Sequence, residues 1–131
     1  MKKYLRLHQP VNVVVQIDRI PGYDDSNGDW AGARRYYITK DYSQSSISSS
    51  MVQDLGEVNM GSPNSLENFI QWGKINYPAN KYALILWDHG SGIVFGGSPG
   101  GVCWDDSAGY DYLTLSELSS TFSSLSNNVD L

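Results

Sequence analysis

The feature that most constrains this chain of 131 residues is an apolar run that stops at a histidine. Residues 82–87, Tyr-Ala-Leu-Ile-Leu-Trp, are followed at once by Asp88, His89 and Gly90. An unbroken apolar run bounded by polar and glycine residues predicts a strand buried on both faces, as in the centre of an α/β sheet. Ligands gather outside the carboxyl ends of such strands, so His89 is predicted to face a cleft.

The remaining signals alternate between strand and helix, which predicts a mostly parallel sheet covered on both faces. Thr114 and Glu117 have the spacing of a capping box, in which each residue binds the backbone of the other at a helix start. The predicted elements are strands at 11–17 and 102–104, a hairpin of 33–39 with a partner near 46–51, helix 64–76, a second helix opening within 113–118, and the first residues of a strand at 129–131.

Several motifs, always in the same order, give this chain a family resemblance. The clearest are Asp-Leu-Gly-Glu-Val-Asn-Met-Gly at 54–61 and Trp-Asp-His-Gly-Ser-Gly at 87–92; segments 30–38, 66–70, 76–79, 105–106 and 113–118 fit the same pattern. Over roughly residues 11–131 the chain resembles the clostripain-type cysteine peptidases. The resemblance implies a caspase-like α/β/α sandwich with a mostly parallel central sheet, of which residues 1–131 form a single, partial domain.

The same resemblance assigns catalytic roles. It implies that His89 is the histidine of a Cys-His dyad, and that the backbone N–H of Gly90 donates to the oxyanion. A fixed backbone donor stabilises developing negative charge without reorganisation. The resemblance further implies cleavage after Arg or Lys, calcium as a possible cofactor, and a secreted or cell-envelope location. The family's nucleophilic cysteine usually lies in a DACL-like segment, and this sequence contains no such segment.

Cys103 is the one cysteine of the chain, so no internal disulfide can form. Caspase-type sites place the histidine about 50 residues before the nucleophile, whereas Cys103 follows His89 much more closely. Free cysteine usually behaves as a small buried hydrophobe, and we expect Cys103 to be structural and the nucleophile to be absent from this chain. A serine elbow at 96–100 is excluded because Pro99, which follows Ser98, has no N–H for an oxyanion hole.

Charge and composition exclude other classes of function. A formal net charge of −5 argues against a nucleic-acid groove, and no apolar run is long enough to span a membrane. The acidic stretches 24–29 and 105–106 are candidate cation sites, with solvated turns as the favoured interpretation. Arg34 and Arg35 either bind anions or decorate an exposed hairpin, and the second interpretation is favoured.

A rival hypothesis is a non-catalytic peptide- or carbohydrate-binding module, since four Trp and nine Tyr could build such a surface. Under the peptidase hypothesis the expected partners are a peptide or protein substrate and the remainder of the peptidase chain. Unpaired strand edges tend to pair with another chain, so self-association through exposed sheet edges is also expected. A cysteine encoded shortly after Leu131 would favour the peptidase.

Overall fold

The computed structural model describes residues 11–23, 25–43, 47–90 and 100–125 of the chain. Within these residues the fold is a mixed α/β arrangement of two small antiparallel sheets and two helices. In chain order the elements are β1 (Val14–Arg19), β2 (Gly32–Tyr37), β3 (Ser50–Gly56), α1 (Pro63–Asn76), β4 (Gly101–Asp105), β5 (Asp111–Thr114) and α2 (Leu115–Leu125).

The first sheet has the strand order β1-β2-β3, and both pairings are antiparallel. The predicted strand within 33–39 is confirmed as β2, and its partner β3 overlaps the predicted partner near 46–51 at Ser50 and Met51 before continuing to Gly56. Two glycines allow the close approach at the end of this pair: a Cβ on Gly32, whose φ is +82°, would lie 2.9 Å from the carbonyl carbon of Gly56. Backbone contact at this point fixes where β2 and β3 start and stop pairing.

Helix α1 matches the predicted helix 64–76 to within one residue. Ser62 precedes it with an extended backbone, and Pro63 occupies its first turn, where the fixed φ of proline suits a helix and its missing N–H costs nothing. The helix ends where the Tyr77 N–H donates to the Gly73 carbonyl at 2.9 Å. Leu66 is its buried residue.

Strand β5 leads directly into α2, which begins at Leu115, within the predicted segment 113–118. The capping box is confirmed. The Glu117 N–H donates to Thr114 Oγ1 at 3.2 Å, and the Thr114 N–H donates to Glu117 Oε2 at 2.9 Å. Leu113 and Leu125 are buried and tie this hairpin and helix to the core. The strand predicted at 129–131 lies outside the described residues.

The prediction of a strand at 82–87 is wrong for this structure. Residues 82–87 belong to no strand, and no parallel pair occurs among the described residues. Burial nevertheless alternates: the even-numbered residues are half-buried, whereas Ile85 is 82% and Trp87 93% exposed. This is the period of an extended chain. A strand also needs a neighbour, and the described residues provide none beside this segment.

The contacts of α1 and β4 show where the segment after α1 begins and ends. Met60, just before α1, contacts Gln16, whereas Tyr77, just after it, stacks on Tyr37, which pairs with the first residue of β1. Helix α1 therefore runs opposite to β1. Residues 82–90 then start beside Tyr77, where Tyr82 contacts the Tyr77 carbonyl, and end at Gly90, which bridges to β4. Asp105 of the same strand accepts from the Met60 N–H, so β4 connects the end of this segment to the residues just ahead of α1.

Candidate functional site

His89 lies at the end of the extended segment with an exposed side chain. Its backbone N–H donates to Asp88 Oδ1 at 2.6 Å, so the carboxylate of Asp88 binds the backbone of the histidine. The local bond fixes the peptide that carries the imidazole. Because Trp87, one residue earlier, is 93% exposed, the face of the segment around His89 is open to solvent.

Gly90 contacts strand β4 directly. It forms an isolated antiparallel bridge with Val102. A Cβ on Gly90 would lie 3.0 Å from the Gly101 carbonyl oxygen and 3.2 Å from Val102 Cγ1, both tighter than ordinary contact. Gly90 is not among the described glycines with positive φ. Glycine is therefore required at position 90 because β4 leaves too little space for a side chain.

Cys103 follows Val102 in β4, in a left-handed conformation with φ of 58°. Burial raises the pKa of its thiol, and the negative charge of Asp88 raises it further. A nucleophilic cysteine needs the opposite, because the thiolate is the reactive form. The surroundings of Cys103 therefore favour the neutral thiol.

Three carboxylates from distant parts of the chain lie close together at the end of β4. Asp18, Glu57 and Asp105 each have an oxygen within 4.8 Å of the other two. Burial raises the pKa of Asp18 to about 6, and the charge of Glu57 and then that of Asp105 add to this effect. Of the two acidic stretches singled out in the sequence, 105–106 contributes one residue to this cluster. The stretch 24–29 contributes none of its described residues.

Asp105 organises the turn between β4 and β5. Its Oδ1 accepts from the Ser107 N–H at 3.0 Å, the Ser107 hydroxyl at 2.7 Å and the Ala108 N–H at 3.0 Å, while Oδ2 accepts from the Met60 N–H at 2.7 Å. Burial alone would raise the pKa of Asp105, but these hydrogen bonds outweigh it and hold the pKa below its usual 3.8. The hydrogen bonds that organise this turn thus also stabilise the ionised form of Asp105.

The carboxylate cluster does not by itself fit calcium, the cofactor implied by the family resemblance. Calcium takes six to eight oxygen ligands, and the cluster offers one oxygen from each of three residues. Oδ1 of Asp105 is already occupied by three donors. No catalytic step below depends on a metal.

Arg34 and Arg35 have opposite environments, and the interpretation of both as exposed decoration is wrong for Arg35. Arg34 pairs with Asp54 at 3.0 Å on the outer face and lies 4.5 Å from the centre of the Trp30 ring. Arg35 is only 2% exposed and lies 4.6 Å from the centre of the Trp72 ring. Burial lowers the pKa of Arg35.

Three of the four tryptophans make ring contacts with other residues of the chain. Trp30 contacts two guanidinium groups, Trp72 contacts Tyr77 edge to face, and Trp104 stacks on Tyr112 with ring centres 4.1 Å apart. Trp87 alone among the four is almost fully exposed. The aromatic residues thus stabilise the fold, and the binding-module hypothesis is not favoured. Ser98 of the serine-elbow match lies outside the described residues.

Two members of the carboxylate cluster, Asp18 and Glu57, were not predicted from the sequence. A usable signal exists for Asp18, because the alternation of a strand places it on the same face of β1 as Gln16, which contacts Met60 just ahead of α1. Glu57 lies just after β3 in a turn, and no local pattern indicates where it points.

The comparisons with known proteins identify the family. The model of the clostripain family matches residues 2–131, and the chain therefore belongs to the clostripain family of cysteine peptidases. One relative is clostripain of Hathewaya histolytica, 31% identical over 109 residues that cover 74% of this chain and 21% of that protein. The chain thus spans about a fifth of the length of this relative. No solved structure matches. None of the described helices is long and apolar enough to cross a membrane.

Proposed function

We propose that this chain is the histidine-bearing part of a cysteine endopeptidase that cleaves after Arg or Lys, and that the nucleophilic thiol comes from outside these residues. The observation that carries the proposal is the clostripain family match over residues 2–131, which includes the exposed His89 and Gly90 at the end of an extended segment. The raised pKa of Cys103 supports an external nucleophile.

The proposed chemistry divides amide hydrolysis into two steps. The neutral imidazole of His89 takes the proton of the thiol, and the thiolate attacks the scissile carbonyl carbon. The resulting oxyanion accepts a hydrogen bond from the Gly90 N–H, which stabilises its charge. The His89 imidazolium then protonates the leaving amine, a thioester forms, and water hydrolyses it to the carboxylic acid and the free thiol.

For the complete protein we propose the caspase-like α/β/α sandwich with a mostly parallel central sheet. Support comes from the family match and from the order of the chain: β3, α1 and residues 82–90 follow one another as strand, helix and extended segment. Two parallel segments joined by a helix are the unit from which parallel sheets are built. In such a sheet, residues 82–87 would acquire strand neighbours that the described residues do not provide.

The proposed partners are a peptide or protein substrate and the remainder of the peptidase chain. Among the described residues, β1 and β3 are the outer strands of the first sheet, and no described strand pairs with their outer edges. Ile85 and Trp87 add exposed apolar surface near His89. If this chain is separated from the rest of its protein, we expect it either to bind that remainder or to self-associate.

The proposed function is tested by hydrolysis of reporter peptides ending in Arg, Lys or Glu, using the complete protein that contains this sequence. We expect cleavage after Arg and Lys only. His89→Ala should lower kcat by a factor of about 10³ or more, because general-base catalysis and activation of the nucleophile are both lost. Cys103→Ala should stay within a factor of about three of the wild-type rate. Equal losses for the two variants would make Cys103 the nucleophile and refute an external thiol.

A further inference from the structure

The β4–β5 hairpin reaches the histidine-bearing segment at one residue, Gly90, through the antiparallel bridge to Val102. The hairpin itself is firmly held. Leu113, opposite Val102 in β5, is 1% exposed, and Asp105 at the end of β4 binds the backbone ahead of α1. A residue in contact with this hairpin therefore has a fixed support.

The residue pairs of the hairpin that are hydrogen-bonded determine how the backbone of Gly90 is oriented toward β4. The Leu115 N–H donates to the Gly100 carbonyl at 3.3 Å, and this bond lies just outside the pair of Thr114 with Gly101. Hydrogen-bonded and non-hydrogen-bonded pairs alternate along an antiparallel ladder, so the next pair, Leu113 with Val102, is the hydrogen-bonded one. The N–H and C=O of Val102 therefore point toward β5.

It follows that the bridge between Val102 and Gly90 has the non-hydrogen-bonded geometry. In such a pair the N–H and C=O of both residues point away from each other. The Gly90 N–H is thus directed away from β4, toward the side that the hairpin leaves open. An oxyanion donor needs this orientation, because an amide already bonded to a neighbouring strand has no hydrogen to offer.

The side chain of Val102 sets the distance of this contact. Its Cγ1 would lie 3.2 Å from a Cβ on Gly90, so the valine packs directly against the glycine backbone. We propose that Val102 is a positioning residue for the candidate active site: it holds the Gly90 peptide so that its N–H faces the open side next to His89. The catalytic part of this proposal rests on the proposed function above.

The kinetic test uses the complete protein and an arginyl peptide substrate. Loss of a whole oxyanion donor lowers kcat by a factor of about 10² to 10³. Val102→Ala leaves the donor in place but removes its support, and we expect kcat to fall by about tenfold with KM changed less than twofold. Val102→Ile keeps the branched side chain and should restore kcat to within about twofold of wild type.

A matched control separates positioning from general destabilisation. Val52→Ala makes the same change at an exposed position of β3 and should leave kcat unchanged. An arginyl peptide aldehyde forms a hemithioacetal whose oxyanion needs the donor, so its affinity should fall with kcat in Val102→Ala, while the affinity for a cleavage product ending in Arg should not. A normal kcat in Val102→Ala, or equal losses in the two alanine variants, would overturn the proposal.

The orientation of the Gly90 N–H is tested separately on this chain by amide hydrogen exchange measured by NMR. We expect Gly90 to exchange at the rate of a solvent-exposed amide in the wild-type chain, while the Val102 amide is protected. A protected Gly90 amide would show that it bonds to β4 and would refute the geometry. If the complete protein cleaved neither Arg nor Lys peptides, the proposed function and the catalytic role of Val102 would fail together, whereas the exchange rates would still decide the orientation.

Discussion

Replacing Arg35 by alanine is predicted to be among the most damaging single changes in the first sheet. The guanidinium of Arg35, 2% exposed, donates to amide oxygens of three other elements. Its partners are Gln16 Oε1 of β1 at 2.9 Å, Gln53 Oε1 of β3 at 3.0 Å and Asn68 Oδ1 of α1 at 2.6 Å. One side chain therefore connects the sheet to the helix that covers it.

The expected loss follows from these contacts. Each part-buried amide oxygen left without its donor costs about 1–3 kcal/mol, and the lost contact with Trp72 adds about 1 kcal/mol. An opposing term is large. The charge of Arg35 is buried without a carboxylate partner among the described residues, and this burial is unfavourable. The alanine variant has no such charge to bury. We therefore expect Arg35→Ala to lower the free energy of unfolding by about 3–4 kcal/mol rather than by the full sum.

Urea unfolding followed by tryptophan fluorescence measures this loss, and Arg34→Ala is the matched control on the same strand. Arg34 faces the opposite side, and its partner Asp54 has a side chain that is 49% exposed. Because exposed ion pairs contribute about 0.2–1 kcal/mol, Arg34→Ala should cost about 1 kcal/mol or less. A loss below about 1 kcal/mol for Arg35→Ala, or equal losses for the two variants, would refute the connecting role of Arg35.

Two further predictions concern the carboxylate cluster and α2. The pKa of Asp18 is raised from 3.8 to about 6, so its contribution to stability is full below about pH 3.8 and is lost as the pH rises through about 6. After allowance for solvent screening, Asp18→Asn should therefore raise the free energy of unfolding by about 1 kcal/mol at pH 7.5 and change it little at pH 4. Equal urea midpoints for the wild type and this variant at pH 7.5 would contradict the prediction. Thr114→Ala removes the cap of α2 and should cost about 1 kcal/mol in the same assay, whereas an unchanged midpoint would mean that the capping box does not stabilise the chain.

The elements that the sequence predicts well are those controlled by neighbouring residues. Helix α1 begins where Ser62 and Pro63 indicate, and the Thr114–Glu117 capping box forms as its spacing requires. In both cases the groups that decide the structure lie within one turn of each other. Such signals act before any tertiary contact exists, and distant residues do not have to cooperate.

Strand pairing depends on distant residues, and this is where prediction from the sequence fails. The apolar content of residues 82–87 indicates burial, but whether the segment joins a sheet depends on neighbours that the segment itself does not specify. The position of β3 has a similar cause. Its register follows contacts of Arg34 with Asp54 and of Arg35 with Gln53, which link residues far apart in the chain.

The two adjacent arginines show how a strand separates residues that look equivalent in the sequence. Successive side chains of β2 point to opposite faces, so Arg34 pairs with a carboxylate in solvent while Arg35 is buried under α1. The sequence shows only that one of the two faces inward. Which one does so is decided by the helix that packs on the sheet, and no local pattern reports it.

The negative charge at the histidine end of the molecule has two opposite consequences for the proposed chemistry. Asp105 lies three residues along β4 from Val102, roughly 10 Å, and Asp88 precedes His89 directly. Under the proposed function this charge favours a substrate with an arginine or lysine side chain, because opposite charges attract. At Cys103 a thiolate is disfavoured, because burial raises the pKa of this thiol and the charge of Asp88 raises it further. A thiol on β4 is therefore disfavoured as the nucleophile, and under the proposed function the reacting thiol comes from outside these residues, where the His89 imidazole takes its proton.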